Sequence, residues 1–291
     1  MKILFFGEDA FSNVVLQSLL DADHEIVLVA TPFYDNLIFK KLESTCNKHR
    51  IPFIRSGNVN APEFIEMVRK KEPDLIVSAH FERLIKKELL DIPSKGCINL
   101  HPSLLPNYRG MAPQHWPIAN LENFTAVTVH YMDEGTDTGA IILQEKTKIN
   151  DSMYVSDLLT SFLDIYKYIV RDAVALIEKG SFSTIKQSHL PGSYYHKLKR
   201  KECEILDDFD IQKAFAYIRA FSKPYFGAYY DNLIIWRAHI PAESTSLEIK
   251  KNNTIIGVSS YNENYILILK DGVLIIDKWD KYEKGSIENF K

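Results

Sequence analysis

From Lys2 to His101 short, nearly continuous apolar runs alternate with amphipathic stretches, and this alternation restricts the fold more than any other feature of the chain. Lys2 to Gly7 reads as a buried strand. Asp9 to Leu20 follows as a helix with Phe11, Val14, Val15 and Leu19 on one side. Glu25 to Pro32 is a second strand, apolar almost throughout, as parallel strands covered on both faces are. A helix near Ile38 to His49, a short strand Ile51 to Ile54 and a helix Ala61 to Lys71 come next, and Pro73-Asp74 opens a strand Leu75 to Ala79. Such alternation predicts an α/β fold, a doubly wound and mostly parallel sheet with right-handed crossovers. The first turn, Phe6-Gly7-Glu8-Asp9, has one glycine and two acids. It lacks the G-x-G-x-x-G that lets a backbone approach a pyrophosphate, which excludes a dinucleotide-binding reading.

The chain of 291 residues can hold one large or two ordinary domains, with 46% hydrophobic and 25% charged residues as in globular proteins. No apolar run approaches the roughly 20 residues of a membrane span, and the first residues are too short for a secretory apolar region. The expectation is a cytoplasmic protein with no membrane partner. Cys46, Cys97 and Cys203 are odd in number and widely spaced, which suits a reducing compartment and offers neither a disulfide frame nor a metal site. A net charge of −3 argues against a broad nucleic-acid footprint.

The residues that carry chemistry lie between Cys97 and Gly139. An apolar run feeds Asn99 and His101, which share a face because they are two apart in an extended segment, and Pro102 then stops the strand. Ala126 to Met132 is a further strand-like run that empties into Asp133-Glu134-Gly135-Thr136-Asp137-Thr138-Gly139, a loop with room for a carboxylate beside the histidine. A neutral donor, a titratable base and a carboxylate are what acyl transfer at a preorganised oxyanion site requires. Metal-dependent hydrolysis competes for a His and Asp pair, but a zinc site usually takes three protein ligands. No His or Cys cluster accompanies Asn99 and His101, His130 reads as a packed strand residue, and no metal is expected.

In order, Asn99-x-His101, Ser103-Leu104-Leu105-Pro106, Tyr108-Arg109-Gly110, Ala112-Pro113 and Asp137 resemble the signature of the formyltransferase family that uses N10-formyltetrahydrofolate. The resemblance implies a Rossmann-like catalytic core with Asn99, His101 and Asp137 as catalytic residues. Asn99 and His101 would stabilise the oxyanion formed when an amine attacks the formyl carbon, one preorganised donor being worth on the order of 3 kcal/mol. Asp137 would orient His101 and raise its pKa, and His101 would carry the proton from the amine toward the departing folate nitrogen. The resemblance also assigns the pterin to backbone groups at Leu84 and Ile85 and to the loop of Asp133, Glu134, Gly135 and Thr136. Ser103, Leu104, Leu105 and Pro106 would shape the backbone beside the formyl group.

Downstream, Ala140 to Ile149 reads as a strand, and Asp151-Ser152 offers a cap to one long helix ending before Gly180. Its Val155, Leu158, Leu159, Phe162, Tyr166, Ile169, Val170, Ala173 and Ile177 form a core stripe. The texture changes at Gln187. Residues 1–190 are read as the catalytic domain, 191–206 as a linker and 207–291 as a second, β-rich domain. That domain has a helix Ile211 to Phe221 and short strands Leu247 to Lys250, Thr254 to Val258, Tyr265 to Leu269 and Val273 to Lys278, with a tight hairpin at Lys270-Asp271-Gly272. Arg219-Ala220-Phe221, Lys223-Pro224-Tyr225 and Gly227-Ala228 resemble the start of the family's C-terminal domain, a small open, OB-like barrel. Such a barrel offers an accessory binding surface or a homodimer contact.

Two-domain members of the family act on methionyl-tRNA or on nucleotide-linked amino sugars. The tRNA enzymes carry a basic loop after the second strand, as phosphate contact requires. Here Thr31 to Phe39 contains no Lys or Arg, and Phe33 and Tyr34 stand in it. This favours a dTDP- or UDP-linked 4-amino sugar of surface polysaccharide, O-antigen or lipopolysaccharide synthesis, with tRNA as the alternative partner and a non-catalytic oligonucleotide-binding role as a third reading. Phe33, Tyr34, Tyr108 and Gln114 are the candidate substrate contacts, since aromatic faces stack on bases. Met111 stands where the aminoarabinose enzyme has a basic residue.

Overall fold

The computed structural model describes residues 1–32, 40–111, 113–187, 191–243, 257–261 and 264–281. Strands β1 (Lys2–Gly7), β2 (Glu25–Pro32), β3 (Phe53–Ser56), β4 (Leu75–Ala79) and β5 (Cys97–His101) pair in parallel in the order β3-β2-β1-β4-β5. After β6 (Arg109–Gly110), which stands outside this sheet, β7 (Phe124–Tyr131) and β8 (Ile141–Lys148) complete it, β7 running antiparallel to β5. Ile3, Leu4, Phe5 and Phe6 of central β1 are fully buried, which is why that strand is apolar without alternation. Helices α1 (Ala10–Leu20), α2 (Lys40–His49), α3 (Pro62–Lys71) and α4 (Lys87–Leu90) fill the crossovers. Asp9 caps α1 through a reciprocal pair with Ser12, and Pro62 opens α3 where its missing N–H has no helical partner.

Two expectations for the middle of the chain, a single long helix and its cap at Asp151-Ser152, need correcting. The long apolar stripe divides into α6 (Val155–Tyr166) and α7 (Ile169–Lys179), after the short α5 (Trp116–Ala119). Tyr168 leaves helical geometry at φ −139°, and the buried Tyr166 is tied through its hydroxyl to His80. The cap of α6 is the Asp157 carboxylate, which accepts from the Tyr154 N–H at 2.9 Å, while the Ser152 hydroxyl turns back to Asn150. The residues read as a linker contain β9 (Tyr194–Tyr195), which lies parallel to β6.

The chain forms two compact units. The first comprises Met1–Met111, Ala126–Thr147 and Ser161–His196, and the second Ala112–Thr125, Lys148–Thr160 and Lys197–Lys291. The second unit therefore takes two segments from within the stretch expected to be purely catalytic. It contains α8 (Ile211–Phe221), β10 (Ala228–Tyr230), β11 (Leu233–His239), β12 (Gly257–Tyr261), β13 (Asn264–Ile268) and β14 (Val273–Lys281). These strands form an antiparallel half-barrel in the order β10-β11-β14-β13-β12. The hairpin closes where the Leu269 N–H donates to the Gly272 carbonyl at 2.9 Å. Strands β10 and β11 were not anticipated, and the expected strand Leu247 to Lys250 and residues 254–256 of the expected strand Thr254 to Val258 lie outside the described residues. In this unit His115 is packed among Trp116, Phe221 and Tyr225, and burial pushes its imidazole down to about 3.

Cys46 and Cys97 of the first unit and Cys203 of the second are free and buried, and burial pushes each thiol up to about 12. No described helix is long and apolar enough to cross a membrane.

Candidate active site

The register Gly7↔Ala79 and Ala79↔Leu100 aligns the carboxyl ends of β1, β4 and β5. The turns that leave them share one edge, the place where open α/β sheets gather their ligands. Asn99 and His101 project there from β5. Asn99 pairs with His130 across the antiparallel β5–β7 contact, and Asp137, from the turn after β7, reaches both Asn99 and His101.

The three expected side chains meet. His101 Nδ1 lies 3.5 Å from Asp137 Oδ2, and Asn99 Nδ2 lies 3.5 Å from Asp137 Oδ1. The backbone N–H of Gly110 donates to Oδ2 at 2.9 Å. His130 joins them, its Nε2 3.4 Å from Asp137 Oδ1 and 3.4 Å from Asn99 Nδ2, while its Nδ1 donates to the Tyr131 carbonyl at 2.7 Å. A histidine read as packing is thus both buried and part of the polar cluster. The pairing of residues 99 and 130 was the signal for it, and it becomes visible only once the strands are known to be antiparallel.

His101 is almost fully buried, and its Nε2 donates to the Tyr108 carbonyl at 2.8 Å. Burial pushes the imidazole below its ordinary value; Asp137 and the Tyr108 carbonyl pull upward without prevailing. The expectation that the carboxylate leaves His101 with a raised pKa is therefore corrected, since desolvation outweighs the attraction. Burial would raise the Asp137 carboxyl, but His101, His130 and the Gly110 N–H more than reverse this and hold it well below the usual carboxylate range. The site rests as a neutral imidazole beside an ionised carboxylate. With the proton on Nε2, the lone pair of Nδ1 faces Asp137, so a proton taken up there is stabilised at once.

The other expected residues divide by what they touch. Ser103 is buried, its Oγ donates to the Asn107 carbonyl at 2.9 Å, and its own carbonyl accepts from Thr128 Oγ1 at 2.7 Å. The Leu105 carbonyl accepts from Gln144, and the Leu105-Pro106 bond is cis. Ser103, Leu104, Leu105 and Pro106 form a loop braced by Asn107, Thr128 and Gln144. Asp133 folds its own turn, accepting from the Gly135 N–H at 3.0 Å and Thr138 Oγ1 at 2.6 Å, with Glu134, Gly135 and Thr136 exposed at the surface. Leu84 is exposed (61%) and Ile85 is buried in the core. Asn60, which the sequence did not single out, holds this loop by donating to the Leu84 carbonyl and accepting from the Lys86 N–H, both at 2.8 Å. Tyr108 is buried and stacks on Tyr195 at 5.3 Å, and Gln114 is buried within the second unit. Phe33 and Tyr34 lie outside the described residues.

A second polar cluster occupies the same edge. His80, just beyond β4, sets Nδ1 3.1 Å from Asp9 Oδ2 and Nε2 2.9 Å from the Tyr166 hydroxyl, with Phe11 stacked on its ring. Glu8 is buried beside it and accepts from the Glu82 N–H at 2.5 Å.

The family model described as formyl transferase matches residues 1–174. A methionyl-tRNA formyltransferase from Clostridioides difficile (strain 630) is 32% identical over 291 residues, covering 96% of this chain and 91% of that protein. The bifunctional polymyxin resistance protein ArnA of Wigglesworthia glossinidia brevipalpis is 30% identical over 252 residues, covering 84% of this chain and 38% of its own. Among solved structures, WlaRD, a sugar 3N-formyl transferase determined in the presence of dTDP and 5-N-formyl-THF, superposes with a TM-score of 0.72 at 23% identity over 97% of both chains. An N-formyltransferase from Helicobacter canadensis, in complex with folinic acid and dTDP-3-aminofucose, gives 0.69 at 20% identity over 97% of this chain and 100% of that one. With the matched model spanning the strands and loops that assemble Asn99, His101 and Asp137, the chain belongs to the formyl transferase family.

Proposed function

We propose that the protein transfers a formyl group from N10-formyltetrahydrofolate to the amine of a dTDP- or UDP-linked amino sugar, in the cytoplasm, for surface polysaccharide of the O-antigen or lipopolysaccharide kind. The convergence of Asn99, His101 and Asp137 carries the reading. The folate donor supplies a formyl carbon open to attack by an amine. Asn99 Nδ2 offers a donor to the oxygen that gains charge, the neutral His101 ring takes up the proton from the amine at Nδ1, and Asp137 holds the ring and stabilises it once protonated. The residues present suit a reduced folate. The 80–86 loop exposes Leu84 while Asn60 fixes its backbone, and Met132 and Phe81 pack with Ile85 beneath the two loops.

For the acceptor, the support is the absence of Lys and Arg from Thr31 to Phe39 together with the net charge of −3. The dTDP ligands of WlaRD and the Helicobacter canadensis enzyme make dTDP the first nucleotide to test. The 32% identity to a methionyl-tRNA formyltransferase over 96% of the chain favours a second reading, tRNA as acceptor. A thermal-shift panel separates them. Stabilisation by dTDP or UDP, and formylation of the corresponding amino sugars, is the expected result. Formylation of methionyl-tRNA without any nucleotide response overturns the sugar reading in favour of the second.

A further inference from the structure

Gln187 lies 50 positions beyond Asp137, in the stretch read from sequence as leading into a linker, and it is 2% exposed. Its Nε2 donates to the Asp137 carbonyl at 3.0 Å and to the Gly139 carbonyl at 2.6 Å. Its Oε1 accepts from Arg109 Nη2 at 2.9 Å. A primary amide has two N–H donors and one acceptor oxygen. Here both kinds of group are engaged, the donors by the loop that carries the catalytic carboxylate and the oxygen by the residue before Gly110.

What is held needs holding. The Asp137 backbone is left-handed at φ +54°, a conformation that a residue other than glycine keeps only when its surroundings fix it. Gly139 has no lateral room, because a Cβ there would meet the Tyr131 carbonyl oxygen at 1.9 Å. On the far side, the Gly110 N–H that binds Asp137 Oδ2 belongs to β6, which β9 pins in place. The Arg109 N–H donates to the Ser193 carbonyl and the Met111 N–H to the Tyr195 carbonyl, each at 2.9 Å. Ser193 Oγ accepts from the Tyr108 N–H at 2.9 Å, next to the carbonyl that holds His101. Gln187 thus grips the acid from its backbone side, and Ser193 to Tyr195 hold the strand that carries the carbonyl partner of the imidazole, all within the first unit.

We propose that Gln187 is a positioning residue for formyl transfer, its amide fixing the 137–139 backbone and so the distance of the Asp137 carboxylate from the His101 ring. The inference rests on the reading of Asn99, His101 and Asp137 as the catalytic set. Carboxylate and imidazole are separated by 3.5 Å, and a displacement of about 1 Å at such a contact costs about 10²-fold in rate.

The test compares the full chain with Gln187→Met, Gln187→Glu and Asp137→Asn. Gln187→Met preserves length and removes all three hydrogen bonds; Gln187→Glu keeps the oxygen that faces Arg109 and removes both donors. Turnover is measured with N10-formyltetrahydrofolate and either dTDP-3-aminofucose or a UDP-linked 4-amino sugar, and the His101 ring is titrated by NMR. The expected result for both Gln187 variants is a kcat about 10²-fold lower with the donor KM within about threefold. The His101 titration in Gln187→Met, which adds no charge, should shift to lower pH, in the direction that Asp137→Asn moves it. A kcat within about threefold of the parent in either well-folded variant, or an unmoved His101 titration in Gln187→Met where Asp137→Asn shifts it, overturns the proposal. Should the parent use neither acceptor, the His101 titration decides alone. Retained turnover in Asp137→Asn defeats the catalytic reading itself, a different failure from that of Gln187.

Discussion

His101 is pulled in opposite directions by its surroundings, and the balance sets how the enzyme responds to pH. Burial favours the neutral ring while the carboxylate 3.5 Å away favours the charged one, and burial prevails. If the neutral ring is the working base, kcat/KM falls on the acid side with a midpoint below the ordinary histidine value of about 6.5. Asp137→Asn removes the upward pull, so that midpoint moves further down, and the plateau drops by about 10²-fold or more. A pH–rate profile of parent and variant checks both. Glu8 makes a separate prediction. Burial, aided by the nearby Glu82 and Asp9 charges, raises its carboxyl to about 7 from 4.5. Between those values the folded state holds a proton that the unfolded chain has released, so stability declines as pH rises through that window, by about 1.4 kcal/mol per pH unit. Glu8→Gln should therefore melt higher than the parent at pH 8, with the gap closing as pH falls toward 4.5. Melting curves across that range show it, and a gap that does not change with pH refutes it.

Elements differ in how far the sequence discloses them. Strands β1, β2 and β4 were legible because burial on both faces leaves a nearly unbroken apolar run, and α8 was read over its observed range, Ile211 to Phe221. Asn99 and His101 were legible because two residues on one face of a strand end are a local fact. The helix break at Tyr168, the cap from Asp157 and the short β6–β9 pair were not, since each depends on a partner supplied by the fold. For Gln187, Asn60 and Ser193 nothing local marks a polar residue that serves a loop far along the chain. The β6–β9 pair also explains Gly110. It sits at φ +99°, and a Cβ would meet the Tyr195 carbonyl oxygen at 2.0 Å. Gly110→Ala must push β9 away and carry the N–H off Asp137. It should lower turnover by at least about tenfold and reduce stability by about 1–3 kcal/mol, measurable by steady-state kinetics and denaturant unfolding.

At the scale of the whole molecule, the interleaving of the two units matters most. The linker expected at 191–206 suggests that the chain could be cut there cleanly. In the structure Ala112–Thr125 and Lys148–Thr160 belong with the segment from Lys197 onward. His115 and Trp116 pack on Phe221, and Tyr154 donates its hydroxyl to the Ala238 carbonyl at 3.1 Å. A chain ending at His196 strips these residues of their cover. It should aggregate or melt well below the full-length protein, as light scattering and a thermal scan would show; a monomeric fragment with the parent's melting temperature contradicts the division.

The three buried thiols turn this architecture into something measurable. While the chain is folded, Cys46, Cys97 and Cys203 stay protonated and shut away from an aromatic disulfide reagent, so the native protein is silent to it. Colour therefore develops only as fast as a unit opens. Two sulfurs sit in one unit and a single sulfur in the other, so mass spectrometry of the labelled chain would tell which of the two lets go first.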